Sequence, residues 1–156
     1  MQGGAVAVRA IRGATRVLVD GEVVDDRELV LAASRELVRE VLDRNGLAPD
    51  DVISILFSAT RDLASVAPAL AARQLGLHDV ALLCVQEMWV EGSMTGVVRL
   101  LAHVETERSR SDVRNVYLAG TGVLREDVPT PPDAPGPRES SASSGPPTSP
   151  EPPDRP

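Results

Sequence analysis

Apolar side chains run through this chain from Val6 to Val128 and then stop, which confines any folded core to the residues before Pro129. From Pro129 to Pro156 there are 11 Pro and 5 Ser, with no Val, Ile, Leu, Met or aromatic residue. A segment of that kind cannot offset its ordering entropy by burial, and it reads as a disordered or polyproline-like tail. The chain therefore divides into a domain over 1–128 and a tail over 129–156. Only Phe57, Trp89 and Tyr117 are aromatic, so the core must be built from Val, Leu, Ile and Ala. Close aliphatic packing is expected, and a stacking platform for bases is not.

Charge narrows the function further. The domain carries 14 arginines against 19 acids, a balance of −5, and the tail 2 against 4, a balance of −2. That sign argues against nucleic acid as a partner. All 16 basic residues are arginine, so Schiff-base chemistry, a Walker-type phosphate lysine and a pyridoxal-phosphate anchor are excluded. Cys84 is the only cysteine, which rules out an intrachain disulfide and a thiolate metal cluster. The first residues lack a basic n-region followed by an apolar stretch, and no run approaches the roughly 20 apolar residues that span a bilayer. A soluble, cytoplasmic protein without a membrane partner is the expectation.

The hydrophobic pattern predicts a strand over Ala5 to Arg12, ended by Gly13, and a turn through Arg16 to Gly21. A helix follows, with Asp25 and Glu28 as its capping box. Leu29, Val30, Ala33, Leu37, Val38, Val41 and Leu42 form its buried face, and Asn45-Gly46 stops it. Val52 to Phe57 reads as a buried strand and Ser58 to Asp62 as a loop. Pro68 opens a short helix to about Leu75, Val80 to Val85 forms a strand, and an irregular stretch surrounds Trp89. Thr95 to Glu105 reads as a long strand and Val116 to Leu124 as the last. The order β, α, β, α, β, β, β predicts an α/β (α+β) domain with a mixed sheet.

Three charges sit inside these apolar runs: Arg12, Glu87 at the end of Val80-Ala-Leu-Leu-Cys-Val-Gln-Glu87, and Arg99 in Val97-Val-Arg-Leu-Leu101. A buried charge without a partner costs several kcal/mol, so such positions point to mutual pairing or to an anionic ligand. No familiar catalytic or metal signature accompanies them. His78 and His103 stand 25 residues apart without further ligands at suitable spacing, and read as surface or packing residues. Cys84, inside an apolar strand, reads as an inert small hydrophobe.

Ile11-Arg-Gly-Ala-Thr15, Ser58-Ala-Thr with Asp62-Leu63, the Cys84-x-Gln-Glu-Met88 run, Arg99 twelve residues beyond Glu87, and Val116-Tyr-Leu118 with Leu124-Arg125 recur together and in order. The pattern resembles the monofunctional bacterial chorismate mutases of the trimeric α/β pseudo-barrel class, over residues 7 to 127. The resemblance implies a mixed sheet with helices on one face, a homotrimer with sites between subunits, and no cofactor or metal. It also implies the Claisen rearrangement of chorismate to prephenate, on the route to phenylalanine and tyrosine. Arg99 is then the cation at the ether oxygen, Arg12 and Tyr117 face a substrate carboxylate, and Glu87 accepts the substrate hydroxyl. Cys84 adds hydrogen bonding, Arg73 and Arg125 add positive field at the mouth, and Ala69, Leu82 and Leu124 line the substrate.

From the residues alone, Arg73 reads equally as a solvated helix charge, Arg125 as a partner of Glu126-Asp127, and Tyr117 as an edge aromatic. The chain also departs from the family pattern: Ala67 stands where phenylalanine is frequent, Leu70 where a lysine flanks the pocket, and Leu83 where threonine is common. The segment between Arg73 and Cys84 is one residue shorter. Two other readings share such a scaffold: a non-catalytic trimeric binder of an anionic metabolite, and an enamine or imine deaminase.

Overall fold

The computed structural model describes residues 4–125; the tail over 129–156 lies outside the described residues. Strand β1 (Ala7–Arg16) leads into a small hairpin of β2 (Leu18–Val19) and β3 (Glu22–Val23), turned by Asp20 and Gly21 at φ 51° and 83°. A two-residue hairpin loop of type I′ needs that pair of positive φ angles. Helix α1 (Arg27–Asn45), β4 (Val52–Ala59), helix α2 (Ala69–Gln74), β5 (Ala81–Gln86), β6 (Val97–Thr106) and β7 (Val116–Tyr117) follow, and a 3-10 turn spans Thr121–Arg125. The five long-range strands form one mixed sheet in the order β5-β4-β6-β1-β7. β6 is antiparallel to both β4 and β1, while β5 and β7 run parallel to β4 and β1. The expected α+β class with a mixed sheet is the observed one.

The core lies between one face of this sheet and the helices. Ile11, Phe57, Leu100, Ala102, Val104 and Val116 from the strands meet Val30, Leu37, Val38 and Val41 of α1. Phe57 is the only aromatic among the buried residues, so the packing is aliphatic, as the composition demands. Strand alternation sends every second residue of β6 to this side: Leu100, Ala102 and Val104 are buried, whereas Arg99, Leu101 and His103 are half-buried on the other.

Helix α1 starts one residue later than the sequence predicts. Asp26 is the N-cap, its Oδ1 accepting from the N–H groups of Glu28 and Leu29 at 3.0 and 3.1 Å. Asp25 turns away and accepts from the N–H groups of Ala64 and Ser65, fastening the loop before α2 to the start of α1. Leu31 is buried and Leu29 is exposed, so the buried face at the first turn differs from the predicted one. The C-terminus ends at Gly46 in the left-handed region, with Leu47 N–H reaching back to Leu42 O at 2.9 Å. Asn45 does more than end the helix. It is buried, with Nδ2 donating to the carbonyls of Val41 and Arg114 and Oδ1 accepting from Arg114 N–H at 2.7 Å. This clasp brings the 114–117 segment onto β1.

Among the strand boundaries that differ from expectation, those of the first and last strands are explained by packing. Gly13 does not end β1 but lies inside it, because a Cβ there would stand 3.1 Å from Leu37 and 3.2 Å from Leu100. Glycine lets α1 sit close on the strand. The last strand, by contrast, stops at Tyr117. Ala119 and Gly120 take φ 49° and 79°, and the buried Thr121 hydroxyl lies within hydrogen-bond distance of the carbonyls of Ala14 and Leu118, so the chain coils where alternation alone suggests extension.

Candidate active site

One row of side chains crosses the whole sheet. Tyr117 on β7 pairs with Ala14 on β1, Ala14 with Arg99 on β6, Arg99 with Ser58 on β4, and Ser58 with Val85 on β5. Residues opposite one another in a ladder project to the same face, so this row lies on the side away from α1. Arg12 is two positions along β1 from Ala14, opposite Leu101, and shares that face. Its backbone N–H donates to Asn115 Oδ1 at 2.8 Å, which ties β1 to the approach of β7.

Glu87 follows the end of β5, where its N–H donates to Ala59 O at 2.8 Å. Its carboxylate returns to the row: Oε2 accepts a short hydrogen bond from Ser58 Oγ and lies 3.8 Å from Arg99 Nε. The second approach is longer than a hydrogen bond, so attraction between opposite charges carries it. Arg99 and Glu87 keep 37% and 26% of their side-chain surface exposed in the single chain. The desolvation expected of charges in apolar strands is thus only partial here. Helices cover one face of the sheet, and these charges are on the other.

The remaining candidates stand elsewhere in the chain. Cys84 pairs with the buried Phe57 and points to the helix side, where its Sγ accepts from Ala69 N–H at 3.4 Å. Leu82, Cys84 and Ala69 all pack against the core. Arg73 is exposed on α2. Leu124 is half-buried in the final 3-10 turn, and Arg125 is the last described residue. Within one chain, then, Arg12, Glu87, Arg99 and Tyr117 share a sheet face, and Arg73, Ala69, Leu82 and Cys84 do not join them.

Sequence reasoning missed Ser58, assigned to a loop when β4 in fact continues through Ala59. It also missed how the loop beyond Glu87 is held. The Arg61 guanidinium sits 3.7 Å above the Trp89 ring, and Asp62 Oδ2 accepts from Gly96 N–H at 2.7 Å, so both ends of the 87–96 segment are tied to the loop after β4. Among the described residues no group of three or more His, Cys, Asp or Glu side chains could hold a metal ion, and no helix is long and apolar enough to cross a membrane.

Comparison with known proteins agrees with this architecture. The chain is 38% identical over 122 residues to the chorismate mutase AroH of Bacillus subtilis (strain 168), covering 78% of this chain and 92% of that protein. It is 40% identical over 122 residues to the chorismate mutase AroH of Thermus thermophilus, covering 78% and 96% respectively. A solved chorismate mutase from Clostridium thermocellum superposes with a TM-score of 0.70 at 40% identity, over 74% of this chain and 99% of that one. Residues 8–128 match the chorismate mutase type I family, and the chain belongs to it.

Proposed function

We propose that this enzyme is an isomerase that rearranges chorismate to prephenate, with the charged face of the sheet as one wall of its site. The single observation that carries the reading is the cross-strand row that places Arg99 between Tyr117 and Ser58, with Glu87 bonded to Ser58 and facing Arg99. Chorismate has two carboxylates, an ether oxygen and a hydroxyl, and must be held compact before bonds can exchange. Breaking of the C–O bond runs ahead of C–C formation, so negative charge grows on the ether oxygen. A fixed guanidinium there favours the transition state over the substrate. Arg99 supplies it, Glu87 keeps Arg99 oriented and accepts the substrate hydroxyl, and Arg12 with Tyr117 receives a carboxylate. The reaction needs no redox step and no external acid, and the enzyme works without a cofactor.

The second wall comes from another copy of the chain. On the face that carries Arg99, strand alternation also places Val8, Leu56, Leu83 and Val85, all exposed in the single chain. A sheet face of this kind favours closed cyclic assembly, here a homotrimer. Arg73, Arg125, Ala69, Leu82, Cys84 and Leu124 complete the clefts from the subunits on either side. Residues 1–128 form the catalytic domain, 129–156 an appended tail, and the enzyme works in the cytoplasm.

Chelator-treated protein without added cofactor is tested by following the loss of chorismate absorbance, with molar mass measured by light scattering. Turnover by a trimer is the expected result. A folded trimer that binds chorismate without converting it would replace the reading with that of a metabolite binder, and turnover of an imine instead would make it a deaminase.

A further inference from the structure

We infer that Ser58 is a positioning residue for the rearrangement, acting through Glu87. This rests on the proposed reaction and adds a residue to its machinery. Ser58 stands inside the cross-strand row, opposite Arg99 on one side and Val85 on the other. It is half-buried, and a hydroxyl carries a single proton, which here goes to Glu87 Oε2. The same oxygen faces Arg99 Nε at 3.8 Å.

The geometry explains why a donor is needed at this point. Glu87 lies beyond the end of β5, at the start of an irregular segment, so no strand ladder orients its side chain; only its backbone is held, through Ala59 O. Arg99 approaches too distantly to fix the carboxylate by a hydrogen bond. Ser58, anchored in β4 between two ladders, supplies the rigid donor. With Oε2 held there, the carboxylate faces Arg99 along a set direction and Oε1 is offered to the substrate hydroxyl. A hydrogen bond to an ionised group is among the stronger ones, and preorganisation of this kind acts on the transition state more than on ground-state binding.

The test measures chorismate turnover by the full chain for wild type, Ser58→Ala, Ser58→Thr, Glu87→Gln and the double variant Ser58→Ala/Glu87→Gln. Ser58→Ala is expected to lower kcat by roughly 10-fold, the scale of a charge-assisted bond, with KM changed by less than about 3-fold. Ser58→Thr, which keeps the hydroxyl and suits a strand, recovers most of the loss. In the Glu87→Gln background the alanine change adds less than about 3-fold, because the bond it removes is no longer charge-assisted. If Ser58→Ala does not fold, Ser58→Cys takes its place, preserving volume while weakening the donor, with a kcat loss of the same direction.

Normal kcat in Ser58→Ala, or in its Cys substitute, would overturn the inference while leaving the reaction assignment intact. So would an equal loss in the wild-type and Glu87→Gln backgrounds, or no recovery with threonine. Absence of turnover by the wild type would instead remove the reaction assignment, and this role with it.

Discussion

Ser58 stands directly opposite Arg99 in the β4–β6 ladder, and its hydroxyl bonds to Glu87, a residue that belongs to neither strand. Arginine and glutamate therefore meet across an intervening strand, with serine as the bridge. Their separation is set by strand spacing and by one hydrogen bond, both of which are rigid compared with a surface ion pair between two long side chains.

Arg99→Ala should lower kcat by at least roughly 10²- to 10³-fold, the scale of removing one transition-state donor. Lysine at 99 should restore only part of it, since a point charge lacks the planar fork. Steady-state kinetics with chorismate decides this, and a near-normal kcat in Arg99→Ala would assign the ether oxygen to another cation.

Gly13→Ala should destabilise the domain by about 1–3 kcal/mol, because the added methyl would press on Leu37 and Leu100 at 3.1 and 3.2 Å. The entropic benefit of replacing glycine, about 0.4–1 kcal/mol, is smaller. Urea unfolding monitored by circular dichroism reads the difference, and unchanged stability would mean that α1 can move off β1 without loss.

The Asp25 carboxyl is held below the usual carboxylate range by the Ser65 hydroxyl first and then by the Ala64 N–H. A depressed folded-state pKa contributes stability above the unfolded value, near 4, that disappears as pH falls through the folded one. Asp25→Asn should therefore cost up to about 1 kcal/mol at pH 7, a modest value for so exposed a group. The gap between wild type and variant should close as pH drops below about 4. Thermal melts across pH 3 to 7 give this comparison, and a gap independent of pH would separate the role of Asp25 from its charge.

Deleting 129–156 should leave folding and oligomeric state unchanged, because that segment has no apolar side chain larger than Ala or Pro to dock on the domain. Light scattering and a thermal melt on the shortened chain provide the check. A loss of assembly, or a fall in Tm of more than roughly 2 °C, would show that the tail packs on the body.

Sidedness was legible from sequence over most of β6 and of α1, though not at the Leu29–Leu31 turn, because it is local. The alternation of Arg99, Leu101 and His103 with Leu100, Ala102 and Val104, and the helical stripe of Val30, Leu37, Val38 and Val41, follow from the periods of strand and helix. So did the aliphatic core and the unusual placing of three charges in apolar runs. The family pattern then supplied Arg12, Glu87, Arg99 and Tyr117 as candidates. What the tertiary structure decided was register. Nothing local specifies that Ser58 pairs with Arg99, 41 positions away, since a slip by one residue would send either side chain to the opposite face while leaving each strand's own pattern intact. The same holds for Asn45 and Asp25, which read as helix-end residues until distant backbone arrives to use their oxygens. Gly13 read as a stop because its close neighbours, Leu37 and Leu100, lie on other elements. Periodicity tells which side a residue takes; the packing of remote segments against one another determines what it meets there.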